Sequence, residues 1–226
     1  LLVLLVSIGF FMQALDTTIV NTAIPAMAHH LNEDPLRMHS VVVAYVLSVA
    51  ACIPLSGWLA DRFGVRNTFL SAIIIFTLAS LGCGLSQSLN QLLFFRVIQG
   101  VGGALLLPVG RLSLLKIIPR TQFLAAMSLM SLAGLLGPLA GPTLGGWLVE
   151  VATWHWIFLI NIPMGVLGIL MTLKVMPNVK EPTVKTFDLI GFVLLVVAMI
   201  GWSLGIEHLA SPEYSKWFSI SLLVVG

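Results

Sequence analysis

The sequence predicts an all-α, polytopic membrane helix bundle, and three observations predict it. Hydrophobic residues make up 58% of the 226 positions and charged residues only 9%, against roughly a quarter charged in an ordinary soluble domain. Apolar runs long enough to cross a hydrocarbon layer about 30 Å thick, which takes roughly 20 residues, recur along the chain. The breaks between them are short, such as His29 to Pro35 and Pro177 to Pro182, and none has room for a soluble domain.

Reading the runs in order predicts helices over Leu1 to Ala28, His39 to Leu59, Asn67 to Leu85, Gln91 to Leu115, Phe123 to Val149, Trp156 to Met176 and Asp188 to Ile206, with an eighth starting near Trp217. The opening run lacks a basic leading region and is interrupted by Asp16, so it reads as a spanning helix and not as a signal peptide. Trp58, Trp147, Trp154, Trp156 and Trp217 fall near predicted helix ends, where an amphipathic ring prefers the headgroup level. Residues 1–176 are expected to form one six-helix bundle, 177–187 a cytoplasmic loop, and 188–226 an additional membrane helix and the beginning of the next. The chain does not start with Met and its last run is too short to span, so a piece of a longer protein is expected.

Charge placement predicts orientation. With the first end inside, inner loops and helix ends collect eight basic residues, Arg62, Arg66, Arg111, Lys116, Arg120, Lys174, Lys180 and Lys185, against two outside, Arg37 and Lys216. The positive-inside rule therefore expects a cytoplasmic N-terminal end. A net charge of +2 with scattered basic residues argues against a nucleic-acid partner. Cys52 and Cys83 lie in apolar runs, where thiols behave as small hydrophobes and not as disulfide or metal partners. The sequence holds no metal site, no nucleotide-binding loop and no Ser/His/Asp, His-Glu-x-x-His or paired-carboxylate constellation, so neither a cofactor nor an enzyme is expected.

Two charges fall well inside predicted helices, Asp16 near the middle of the first and Arg96 about five residues into the fourth. Insertion of such a residue at a helix centre costs about 2.5 to 3.5 kcal/mol, which points to the bundle interior or a water-filled cavity and to an ion or proton pathway. Helical spacing places Gln13, Thr17 and Asn21 along one stripe with Asp16 at its edge, and these are candidate cavity-lining residues. The alternative is an Asp held for interhelical hydrogen bonding alone. Gln99, Gly100 and Gly103 share the side of Arg96; a permanently charged guanidinium would act electrostatically on a nearby carboxyl. Snorkelling to the outer interface is the other reading, since Arg96 is some 8 Å from the helix end.

The fifth predicted helix carries Gly134, Gly137, Gly141 and Gly145, with Pro138 and Pro142 among them and Gly146 beyond. A four-residue step turns about 400°, so glycines 137, 141 and 145 stay on one narrow stripe. They permit close helix contact, while the prolines allow a bend; static tight packing explains the glycines equally well. Between the second and third helices, Gly57 to Arg66 includes adjacent Asp61 and Arg62 between Gly57 and Gly64. This loop reads either as a cytoplasmic latch or as ordinary positive-inside charge.

On these residues the sequence resembles the major facilitator superfamily. Gly57 to Arg66 resembles its loop motif, Arg96 to Gly103 its fourth-helix motif, and Gly137 to Gly146 its fifth-helix antiporter motif. Leu15 to Pro25 resembles the first-helix signature of the fourteen-helix drug:proton antiporters, from which the chain departs at Ser40 and His155. The resemblance implies proton coupling through Asp16 and Arg96 and a cytoplasmic gate at Gly57, Asp61, Arg62, Gly64 and Arg66. It further implies an antiporter bend at Gly137, Pro138, Gly141, Pro142, Gly145 and Gly146. The implied activity is proton-coupled antiport that exports small lipophilic or cationic compounds across the inner membrane. The implied partners are the substrate, protons, the lipid bilayer and a C-terminal half of the same protein, the whole acting as a monomer. A metabolite importer or symporter of the same fold, and a receptor or assembly protein that moves nothing, are the rival readings.

Overall fold

The computed structural model describes residues 1–184 and 186–210, with side chains as far as Trp202; the predicted helix near Trp217, and Lys185 and Lys216 of the charge count, lie outside the described residues. Among these every regular element is a helix. The chain divides into two units, residues 1–184 and 185–226. The first contains α1 (Leu2–Leu31), α2 (Pro35–Cys52), α3 (Leu55–Phe63), α4 (Val65–Gly84), α5 (Leu89–Ile117), α6 (Arg120–Val151), α7 (Trp156–Leu159) and α8 (Asn161–Val175). Among the described residues, six segments of this unit are long and apolar enough to cross a membrane. The second unit contains α9 (Leu189–Ala210), opened by Asp188, whose carboxylate accepts the Gly191 N–H at 2.9 Å.

Helix ends follow local chemistry. α1 outlasts the predicted Ala28 by three residues and stops where Asn32 takes the left-handed conformation (φ 52°) and its N–H reaches the Ala28 carbonyl. α2 begins earlier than predicted, at Pro35, because Pro at the first helical position needs no N–H partner and Asp34 caps the Leu36 N–H at 2.8 Å.

Two predicted spans are broken, both at proline. Pro54 removes a donor from the ladder, so the span predicted over His39 to Leu59 forms as α2 followed by α3. Ile53 and Pro54 keep right-handed helical dihedrals, which lets α3 follow on from α2. In the sixth span Pro163 lacks the N–H that would bond to the Leu159 carbonyl, and the helix is divided at Ile160 into α7 and α8.

α1 packs along α6, α4 along α5 and α8, and α2 along α5. The glycine stripe of α6 makes the first of these contacts. Gly134, Gly137, Gly141 and Gly145 are buried, and a methyl group added at Gly137 would lie 2.7 Å from the Leu15 backbone nitrogen. Gly146 faces open space, and Pro138 and Pro142 are exposed on the far side of a helix that continues through both. On α5, a Cβ at Gly100 would lie 2.8 Å from the Tyr45 carbonyl of α2, and one at Gly102 would lie 2.7 Å from the Phe76 nitrogen of α4. Small residues on two faces thus allow α5 two close neighbours, and this places the side chains of α5 at the centre of the bundle. Both cysteines are free.

Candidate functional site

Asp16 and Arg96 meet inside the bundle. The Arg96 Nη1 donates to Asp16 Oδ2 at 2.6 Å, and both side chains are 0% exposed. Arg96 therefore does not snorkel to the helix end. A guanidinium in this position needs its donors matched and its charge balanced. Nε donates to the Val41 carbonyl of α2 at 3.2 Å and Nη1 also donates to Gln99 Oε1 at 2.7 Å. The Tyr45 ring lies 4.2 Å beneath the guanidinium carbon, close enough for cation–π attraction.

The other carboxylate oxygen, Asp16 Oδ1, accepts from Gln99 Nε2 at 2.9 Å and from Asn161 Nδ2 at 3.4 Å. Ser80 of α4 accepts from the same two amides, at 2.6 and 3.4 Å. α1, α2, α4, α5 and α8 thus each contribute a group to one buried polar network. Such a network holds a single geometry only while its members are satisfied. Changing the proton count on Asp16 changes what its neighbours must supply, because an ionised carboxylate only accepts whereas a protonated one also donates.

Of the candidate cavity residues, Gln99 joins this network. Gln13 and Thr17 are half-buried and linked to each other, the Thr17 hydroxyl donating to the Gln13 carbonyl at 2.9 Å, and Asn21 is exposed. The stripe through Gln13, Thr17 and Asn21 therefore turns toward the surface of this unit while Asp16 turns inward.

A second charged cluster lies where the α3–α4 turn, the end of α5 and the segment after α8 converge. Lys116 bridges Asp61 at 3.1 Å and Glu181 at 2.7 Å. Asp61 does not pair with its neighbour Arg62, which lies over the Trp58 ring at 5.1 Å. Arg66 donates to the Leu173 carbonyl at 3.0 Å. Gly57 sits within α3 facing open space, whereas Gly64 forms the turn with φ 89°, crowded by Asn178 and Lys180, where only glycine fits. Backbone bonds from Val65 to Val179 and from Glu181 to Asp61 fasten the segment after α8 to this turn. At the opposite end of the unit, His155 stacks on Trp154 at 3.8 Å and meets His30 edge-on at 5.3 Å. Partial burial and the neighbouring His30 push the His155 pKa below its ordinary value.

The sequence reading missed Ser80, Tyr45, Asn161, Lys116 and Glu181 as site residues. Asn161 did carry a signal, a lone amide between Ile160 and Ile162 in an apolar run. Ser80 and Tyr45 carried none, since residues of both types occur in membrane helices for many reasons.

The comparisons with known proteins agree with this architecture. Residues 6–226 match the family model of the Major Facilitator Superfamily. The chain is 56% identical over 222 residues to proteins named "Putative multidrug resistance protein MdtD" from Salmonella dublin and Salmonella typhi, covering 98% of this chain and 47% of each relative. It thus spans about half the length of these relatives. Among solved structures it resembles the proton:xylose symporter XylE bound to 6-bromo-6-deoxy-D-glucose, with TM-score 0.68, 14% identity, and 92% of this chain and 53% of that one covered. It also resembles the peptide transporter POT in complex with sulfate, with TM-score 0.71, 13% identity, and 95% and 54% covered. At such identities the two structures speak for the fold alone. With the family model matched over nearly its whole length, the chain belongs to the Major Facilitator Superfamily.

Proposed function

We propose that the whole protein is a proton-coupled antiporter that exports small lipophilic or cationic compounds across the inner membrane, with Asp16 carrying the proton and Arg96 countering its charge. The observation that carries this reading is the fully buried Asp16–Arg96 pair, since an ionisable pair at membrane depth is costly and rare outside transport pathways. The high identity to proteins named for multidrug resistance supports the class of cargo. In this reading Gln99, Gln13, Thr17 and Asn21 border the route taken by substrate and protons, and the glycine–proline run of α6 lets that helix flex. The N-terminal end is cytoplasmic in this reading, which the distribution of basic residues supports, and the cluster around Asp61, with Gly57, Arg62, Gly64 and Arg66, gates that side. The six-helix unit works with a C-terminal half of the same protein, in a monomer that needs no cofactor and performs no covalent chemistry. One proton crossing a potential of 100 mV releases about 2.3 kcal/mol, which drives export of a neutral compound; a singly charged cation leaving takes up the same amount, so its export draws on the pH difference.

The test is ethidium transport by the full-length protein in inverted membrane vesicles with an imposed proton gradient. Ethidium should accumulate inside the vesicles as protons leave, and Asp16→Asn should abolish this uphill movement. Ethidium moving in the same direction as protons would establish a symporter instead. Undiminished proton-coupled flux in Asp16→Asn would remove Asp16 from the mechanism.

A further inference from the structure

The residue that opens α8, directly after the break in the sixth span, is Asn161. Its side chain is 0% exposed. Nδ2 donates to Asp16 Oδ1 and to Ser80 Oγ, both at 3.4 Å, whereas Oδ1 is buried without any partner. A buried carbonyl oxygen left unmatched is costly and calls for a reason.

The surroundings of Asp16 supply one. In the arrangement seen, every neighbour of the carboxylate is a donor: Arg96 to Oδ2, and Gln99 and Asn161 to Oδ1. This set serves an ionised Asp16. A protonated Asp16 must place its new O–H on an acceptor. Gln99 Oε1 is already held by Arg96 Nη1 and the Cys83 thiol, and Ser80 Oγ already accepts from Gln99 Nε2. Asn161 Oδ1 is free, and it belongs to an amide already within reach of the carboxyl group. Rotation of that amide by half a turn about its Cβ–Cγ bond exchanges Nδ2 for Oδ1. Besides Arg96, Tyr45 from α2 and Cys83 from α4 are titratable groups among the described residues that interact electrostatically with Asp16. α6 brings glycine to this stretch of α1 and α8 brings the neutral Asn161.

We propose that Asn161 is the positioning residue for the proton on Asp16, donating to the carboxylate when it is ionised and accepting from the carboxyl group when it is protonated. This rests on the reading of Asp16 as the proton carrier.

The experiment is pH-dependent infrared difference spectroscopy of the full-length protein in liposomes, following the protonated-carboxyl band that Asp16→Asn removes. Hydrogen bonds to a charged acceptor are stronger than those to a neutral one, so losing the donor matters more than losing the acceptor. Asn161→Leu, which is nearly isosteric, should therefore move the midpoint of the band upward by about one pH unit. It should also raise the band's frequency, because the carboxyl group loses a partner. Asn161→Ala, which cannot clash, should do the same if the leucine variant folds poorly. Ser80→Ala, which frees both amides from their shared acceptor to donate more fully to the carboxylate, should shift the midpoint the opposite way, downward, and by less. A purely structural Asn161 would lower the yield of folded protein and leave midpoint and frequency at their wild-type values, and that result overturns the proposal. Absence of any band dependent on Asp16 at all pH values overturns the proton-carrier reading itself and this inference with it, so the two failures are distinguishable.

Discussion

The Asp16–Arg96 pair and the Lys116–Asp61–Glu181 cluster are both carboxylate–cation contacts between segments far apart in sequence, with distances of 2.6 Å in the first and 3.1 and 2.7 Å in the second. Their surroundings differ. The first pair is fully excluded from solvent, while the side chains of the cluster are 15%, 39% and 45% exposed. In the cluster water screens each charge, and the gain from pairing is small. In the buried pair no solvent stands in for a missing partner, so each charge depends on the other and on the amides around them. Contact distance alone thus says little about what a pair contributes. A buried pair is a demanding way to hold helices together, but it is well suited to responding when one proton is added.

Arg96→Ala should have the largest effect on this contrast. It leaves Asp16 buried without its cation and should destabilise the full-length protein by about 3 to 5 kcal/mol, measured as a fall in unfolding temperature in detergent. A cost under about 1 kcal/mol would place the pair in the same class as the exposed cluster. Asp16→Asn should cost a similar amount, about 3 to 5 kcal/mol, because it leaves the buried Arg96 charge without its counter-ion and turns an amide N–H toward the Gln99 and Asn161 donors. Loss of proton-coupled flux in vesicles should accompany it. Glu181→Gln and Asp61→Asn should each cost no more than about 1 kcal/mol. That small cost should shrink further at 1 M salt, where the screening length is about 3 Å; a penalty unaffected by salt would mean that the cluster is dry.

The smallest effect belongs to His155 at the other end of the unit. Its folded-state pKa lies below the unfolded value of 6.5, so as pH falls below 6.5 the unfolded chain binds the proton first. The stability that neutral His155 contributes is therefore present at higher pH and lost on acidification. His155→Gln should flatten the unfolding-temperature profile slightly between pH 7 and the lowered folded-state value. An unchanged slope would show that partial burial and His30 do not disfavour the charged ring.

Much of the architecture was legible in the sequence because a bilayer imposes a simple length-and-polarity rule. The apolar runs marked the six spans of the first unit, and Asp16 and Arg96 were conspicuous as charges in apolar surroundings. The glycine spacing in α6 announced a close contact without naming α1 as the partner. Errors at helix ends came from local chemistry that a hydropathy reading passes over. Asp34 and Pro35 start α2 ahead of its apolar stretch, and Pro54 and Pro163 break ladders that composition alone would continue. The partners of the Asp61–Arg62 loop were not legible, because Lys116 from α5 and Glu181 from beyond α8 provide the contacts.

The sequence by itself determined that this is a polytopic α-helical membrane protein, because its apolar runs have the length of spanning helices, whose backbone polar groups are satisfied within each segment. It also determined that two charges would have to be accommodated at depth. Only the tertiary structure decided that these two charges answer each other, that Gln99, Ser80 and Asn161 complete their surroundings, and that Gln13, Thr17 and Asn21 turn another way. The physical reason is that helix periodicity sets which side of a helix a residue occupies, whereas the partner it finds there depends on how α1, α4, α5 and α8 rotate to bury their glycines and apolar faces together.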